Sequence, residues 1–81
     1  MITYESITLS ARSDTKLDVH FSGRGIDPAM GNYTTSGLLA EIHLVPGGYV
    51  AMSFGKPFRV FSDKHEILEW ARSHKCPVDE R

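Results

Sequence analysis

Four histidines (His20, His43, His65 and His74) and one cysteine (Cys76) are the side chains in this chain best suited to metal binding or nucleophilic chemistry. A structural zinc site takes four nitrogen or sulfur ligands in recognisable pairs. No two of these histidines stand three or four apart on a helix-forming segment, and the cysteine has only His74 near it, so no metal site is expected. His20 and His43 can approach one another across a sheet, which is the basis for a small histidine-dependent enzyme, the last of three functional readings. Cys76 and His74 have the types of a nucleophile and its base. They stand beside Pro77 at the end of a helical segment with no orienting carboxylate, so a small packed side chain is expected there instead. Asp14 and Asp18 fit a turn and a strand surface better than acid–base work. Gly23-Arg24-Gly25 lacks the spacing of a phosphate loop or a dinucleotide fingerprint. No cofactor and no catalytic residue is expected.

Binding is the better use of this sequence. Ser22 to Gly37 holds four glycines and no sustained hydrophobic period, and it reads as a long irregular loop, the kind of segment that often carries function. Within it Asp27-Pro28-Ala29-Met30 suits one helical turn, with Asp27 as cap, Pro28 in first position and Gly31-Asn32 as the stop. Arg24 between glycines is placed to reach a carboxylate or phosphate. Ile26, Met30 and Tyr33 either anchor the loop over the core or form a contact patch, in which aromatic, Met and Arg residues are over-represented. Arg24, Asp27, Met30 and Tyr33 are therefore the candidate partner-binding residues.

Composition narrows the partners. Eighty-one residues make one domain, 1–81, with a thin core. Hydrophobic residues at 41% and charged residues at 23% fit a globular chain. Nine Lys and Arg balance ten Asp and Glu to a formal charge of −1, which removes the basic surplus that non-specific nucleic-acid binding needs. One cysteine excludes an internal disulfide. The N-terminal M-I-T-Y-E-S lacks a signal-peptide pattern, and no stretch approaches the roughly 18 apolar residues of a membrane span, so the expectation is the cytoplasm with no membrane partner.

The elements that must position these residues come from periodicity. Ile7, Leu9 and Ala11, then Leu17, Val19 and Phe21, alternate with polar residues and predict a first hairpin over roughly Thr3 to Ser22, turning at Arg12–Thr15. The apolar phase slips between Tyr4 and Ile7, which predicts a bulge near Glu5-Ser6. Leu38 to Val45 reads as a strand, with a helix from Ser36 as the competing reading. Pro46-Gly47-Gly48 turns into Y-V-A-M-S-F, and Gly55-Lys56-Pro57 turns into F-R-V-F. Asp63 and Glu66 have capping-box spacing, with Ser62 a competing cap. Ile67, Leu68, Trp70 and Ala71 then share one helical arc, with Trp70 as the largest core contributor. The expected architecture is α+β: a small, mostly antiparallel sheet of four or five strands covered by one C-terminal amphipathic helix.

The segment R-V-F-S-D-K-H-E-I-L-E-W, Arg59 to Trp70, resembles the strand-to-helix step of some small phage-encoded inhibitors of the anti-CRISPR type. That resemblance implies inhibition by occupying a surface on a large nucleoprotein or effector complex. The first functional reading is accordingly a non-enzymatic protein-binding module, an inhibitor or accessory protein of a phage or mobile element that acts by steric occlusion. The second is nucleic-acid binding through the sheet, using Arg12, Lys16, Lys56 and Arg59 around aromatic side chains. A homodimer through an open sheet edge or the helix is a further expectation.

Overall fold

The computed structural model describes residues 2–81. Six strands form one sheet: β1 (Ile2–Ala11), β2 (Lys16–Asp27), β3 (Gly31–Val45), β4 (Gly48–Ser53), β5 (Lys56–Phe61) and β6 (Val78–Glu80). One helix, α1 (Lys64–Arg72), lies between β5 and β6 in the chain. The spatial order is β5-β4-β3-β2-β1-β6. Strands β1 to β5 form an antiparallel meander, and β6 returns at the far edge parallel to β1.

The α+β expectation holds in this coarser form, with two corrections. The strands number six rather than four or five, and the helix is not the C-terminal element. Residues Val78–Glu80 are too few to show a period. They become a strand because the backbone of β1 offers partners: Ile7 N donates to Pro77 O at 2.9 Å and Arg81 N donates to Leu9 O at 2.7 Å. Lys64 and Glu80 add an ion pair at 2.8 Å that ties β6 to the first turn of the helix. Its hydrogen bond to Glu80 raises the Lys64 pKa above its ordinary 10.5.

Alternation places Ile7, Leu9, Val19, Ala40, Ile42, Ala51 and Phe61 on one face, where they are buried with Ile67 and Ala71 of α1. The slip between Tyr4 and Ser6 is the bulge that the phase change predicts. The helix starts as its capping chemistry requires. Asp63 Oδ1 accepts from Glu66 N at 3.0 Å, while Glu66 Oε2 accepts from Ser62 N at 2.7 Å, one residue before the usual capping-box partner. It ends at Arg72, before Pro77 is reached. Trp70 is half-buried, touching Phe58, Phe61 and His74 at the core's rim, so the largest buried side chain is Phe61.

The irregular loop expected over Ser22–Gly37 is instead two strands. β2 continues to Asp27 and β3 starts at Gly31, giving a hairpin arm whose inner rows also pair with Ile2–Tyr4 of β1. Two glycines of this segment sit directly opposite aromatic residues, Gly25 facing Tyr33 and Gly37 facing Phe21. A Cβ on Gly25 would fall inside the Tyr33 ring. An aromatic ring folded over a cross-strand glycine restores the packing that the missing side chain forfeits, so the glycines mark close approach here and not strand breaks. Asp27 caps the arm's turn, its Oδ1 accepting from Ala29 N at 2.7 Å and Met30 N at 3.1 Å, and Gly31 closes it with φ +77°.

Candidate functional site

The molecule divides into a body and an arm. Between Val19 and Ala40 no apolar side chain is fully buried. The arm therefore projects past the two-layered part of the fold, and the chain is drawn out to 47 × 24 × 20 Å. Its apolar side chains stay open to solvent: Met30 is 77% exposed, Ile26 62% and Tyr33 38%.

Strand register distributes the four candidate contact residues over different surfaces. Arg24 pairs with Thr3 and Thr34 on the face away from the helix, where its Nε lies 3.2 Å from Glu5 Oε2. Tyr33 shares the opposite face with Ile2, both in the row of Gly25. Met30 occupies the tip, and the Asp27 carboxylate is spent on the turn. Tyr33 and Met30 thus remain open contacts, Arg24 belongs to a separate polar face, and Asp27 shapes the arm instead of presenting a charge. Ile26 joins Arg24's face through its pairing with Asn32.

A second feature corrects the reading of Y-V-A-M-S-F as a strand to its last residue, since β4 ends at Ser53. The β4–β5 turn carries Phe54 with φ +52° followed by Gly55 with φ +76°, a backbone that suits Asn-Gly. A non-glycine residue in the left-handed region costs on the order of 1 kcal/mol. Phe54 is also fully exposed. Neither folding nor solubility favours a phenylalanine there, which points to contact as its use. The signal in the sequence was S-F-G-K, a two-residue hairpin loop with an aromatic where asparagine is favoured. Phe54 stands at the foot of the arm, where it lines a groove of about 260 Å³ with Leu38, Leu39 and Met52.

The uncovered face of the body carries charge. Asp18, 8% exposed, receives Arg12 Nε at 2.9 Å and Nη2 at 2.8 Å on one oxygen, and its other oxygen has no partner. Arg12 Nη1 reaches Glu41 at 3.8 Å, and His43 Nε2 lies 3.5 Å from the same carboxylate. These contacts engage Arg12, one of the four cations of the nucleic-acid reading. Register puts Lys16 on this face, opposite His43, and puts Arg59 on the helix side over the Phe61 ring at 5.2 Å. The basic residues are thus split between two faces and do not form one track.

The histidines are not assembled into a site. His20 pairs with Leu38 and His43 pairs with Lys16, which separates them by four residues of strand, about 13 Å. His65 lies 3.0 Å from Glu69 on the outer helix surface. His74 is wedged between Tyr4 and Trp70, with Nδ1 3.1 Å from Ala71 O. Cys76 is half-buried against the core. Among the described residues no group of three or more His, Cys, Asp and Glu side chains is arranged to hold a metal ion. No helix of the described residues is long and apolar enough to cross a membrane.

No protein-family model, curated protein or solved structure matches this chain.

Proposed function

We propose that the chain is a non-enzymatic protein-binding module that uses its arm to occupy a surface on a larger protein or nucleoprotein assembly. The observation that supports this reading most is the arm itself. It spends sixteen residues, Ser22 to Gly37, on a projection that adds no fully buried apolar side chain to the core while exposing Ile26, Met30 and Tyr33. A thin core gains little from such an extension, whereas exposed aromatic, Met and branched side chains are the usual anchors of a protein interface. Steric occlusion by a projecting hairpin needs no cofactor and no titrating group, and it agrees with the inhibitor role that the resemblance of Arg59–Trp70 implies.

The test is capture of partners from the host lysate on immobilised wild-type protein and on an Ile26→Ser/Tyr33→Ser variant, with circular dichroism confirming that both fold. A macromolecule retained by the wild type and lost from the variant is the expected result. Absence of any retained macromolecule, or equal retention by both, contradicts the proposal. Retention of nucleic acid that weakens steeply with salt would favour the sheet-based nucleic-acid reading instead.

A further inference from the structure

An open sheet edge can template further pairing, and the free edges of this sheet among the described residues are not equivalent. β5 carries Pro57, Lys56 and Arg59 together with a register shift opposite Ala51/Met52. β6 is three residues long and contains Asp79 and Glu80. Charge, proline, bulges and shortness are the means by which proteins blunt an edge against further pairing. The outer side of β1 is open from Ile2 to Ser6, where it carries Glu5 and a bulge between Tyr4 and Ser6. Another edge is internal to the meander. β4 pairs with β3 only from Glu41 to Val45, so Gly31–Ala40 has β2 on one side and, among the described residues, no strand on the other. This edge, G-N-Y-T-T-S-G-L-L-A, has no charged residue, no proline and no bulge until Val19/His20 near its foot. A long uncharged edge is a template for another strand.

We propose that a second copy of this chain pairs antiparallel along the outer edge of β3, giving a two-fold dimer joined arm to arm. The edge can be set against its own copy about Thr34. A two-fold axis through that point sets Thr34 against its own copy, Tyr33 against Thr35, Asn32 against Ser36 and Gly31 against Gly37, each pair on one face of the joined sheet. No like charges meet, and Thr and Ser side chains that stabilise cross-strand pairs fill the centre. The same register carries Met30 at the tip of one arm to Leu38 at the foot of the other. That foot is the groove formed by Leu38, Leu39, Met52 and the strained, exposed Phe54. Apolar tip meets apolar foot twice, as an isologous interface requires. Phe54 brings about 150–250 Å² per copy towards the roughly 800 Å² per partner of a stable interface. The faces of the arm, with Ile26 on one side and Tyr33 on the other, stay open in the dimer. The inference therefore goes beyond the occlusion reading and does not depend on it.

The test is the solution mass of the full chain by light scattering and sedimentation, from micromolar to millimolar concentration. Wild type should reach twice the 9.0 kDa of one chain. A Thr34→Lys/Ser36→Lys variant brings four lysines to the two-fold axis and should stay at the single-chain mass throughout, with an unchanged circular dichroism spectrum. Phe54→Asn gives the β4–β5 turn its favoured residue, so it should raise the Tm of the dilute protein while weakening association at least about tenfold. A purely structural Phe54 would change Tm without changing mass. Wild type that remains a single chain at millimolar concentration overturns the proposal, and so does a double mass that survives both variants. The lysine variant leaves Ile26 and Tyr33 intact, so partner capture and dimerisation fail or succeed separately.

Discussion

Body and arm are made of the same strands yet stand differently towards water. In the body, β1, β2 and β3 place Ile7, Leu9, Val19, Ala40 and Ile42 beneath α1, and each is almost wholly buried. A few residues further along those strands the sheet is a single layer, with Ile26 and Met30 open to solvent. A hydrogen-bonded ladder alone gives marginal stability, and a second layer is what makes a small sheet independent. The body thus has a second layer over its buried face, whereas the arm holds its shape through local devices: the Asp27 cap, the Gly31 turn and the two aromatic–glycine pairs. In the proposed reading, association falls to the part of the sheet that folding leaves uncovered.

That contrast can be broken most forcefully in the body. Phe61→Ala removes the largest buried side chain and should cost about 3–5 kcal/mol, enough to abolish cooperative folding of so small a domain in thermal or urea unfolding. In the arm, Gly25→Val drives a side chain into the Tyr33 ring and should cost about 1–3 kcal/mol. Its damage should be local: new proteolytic cleavage between Gly23 and Ser36 with the near-ultraviolet signature of Trp70 retained. Loss of the Trp70 signal along with the arm would mean that the two regions are one cooperative unit. The smallest stability effect belongs to Ile26→Ser, whose side chain is 62% exposed, and it should shift the unfolding midpoint by less than about 1 kcal/mol.

Much of the body was legible in the sequence, and the reasons are local. Period-two alternation at Ile7–Ala11 and Leu17–Phe21 placed the first hairpin, and the phase slip at Tyr4–Ile7 placed its bulge. The S-D-K-H-E run placed the helix start because Asp63 and Glu66 act on neighbouring backbone groups. β6 was not legible, since three residues pair only where β1 is already in place. The arm was misread because glycine counts against a strand when its cross-strand partner is unknown. Tyr33 and Phe21 supply what Gly25 and Gly37 lack, and that relation joins residues distant in sequence. Asp27 was still read as the cap of its turn, because its contacts lie within four adjacent residues, although the helical turn expected over Asp27–Met30 is the turn of a hairpin.

Of the candidate contacts, Met30 and Tyr33 are exposed on the arm, while register turned Arg24 to the other face and the turn consumed Asp27. Phe54 was read as the end of the Y-V-A-M-S-F strand, since its exposure and positive φ are properties of the folded hairpin. The resemblance of Arg59–Trp70 rests on a strand end and a helix cap whose residues serve the core and the helix start, so the weight of the functional reading lies on the arm.

The central claim, that the body carries stability and the arm carries association, is tested most directly by native-state hydrogen exchange on the full chain at low and high concentration. In dilute solution the account predicts that amides of Gly23–Ser36 exchange by local opening, well ahead of those at Leu9, Val19 and Ile42, which should await global unfolding. Raising the concentration should slow exchange at Asn32–Leu38 and leave the body unchanged. Equal protection of arm and body in dilute solution, with no dependence on concentration, would contradict it.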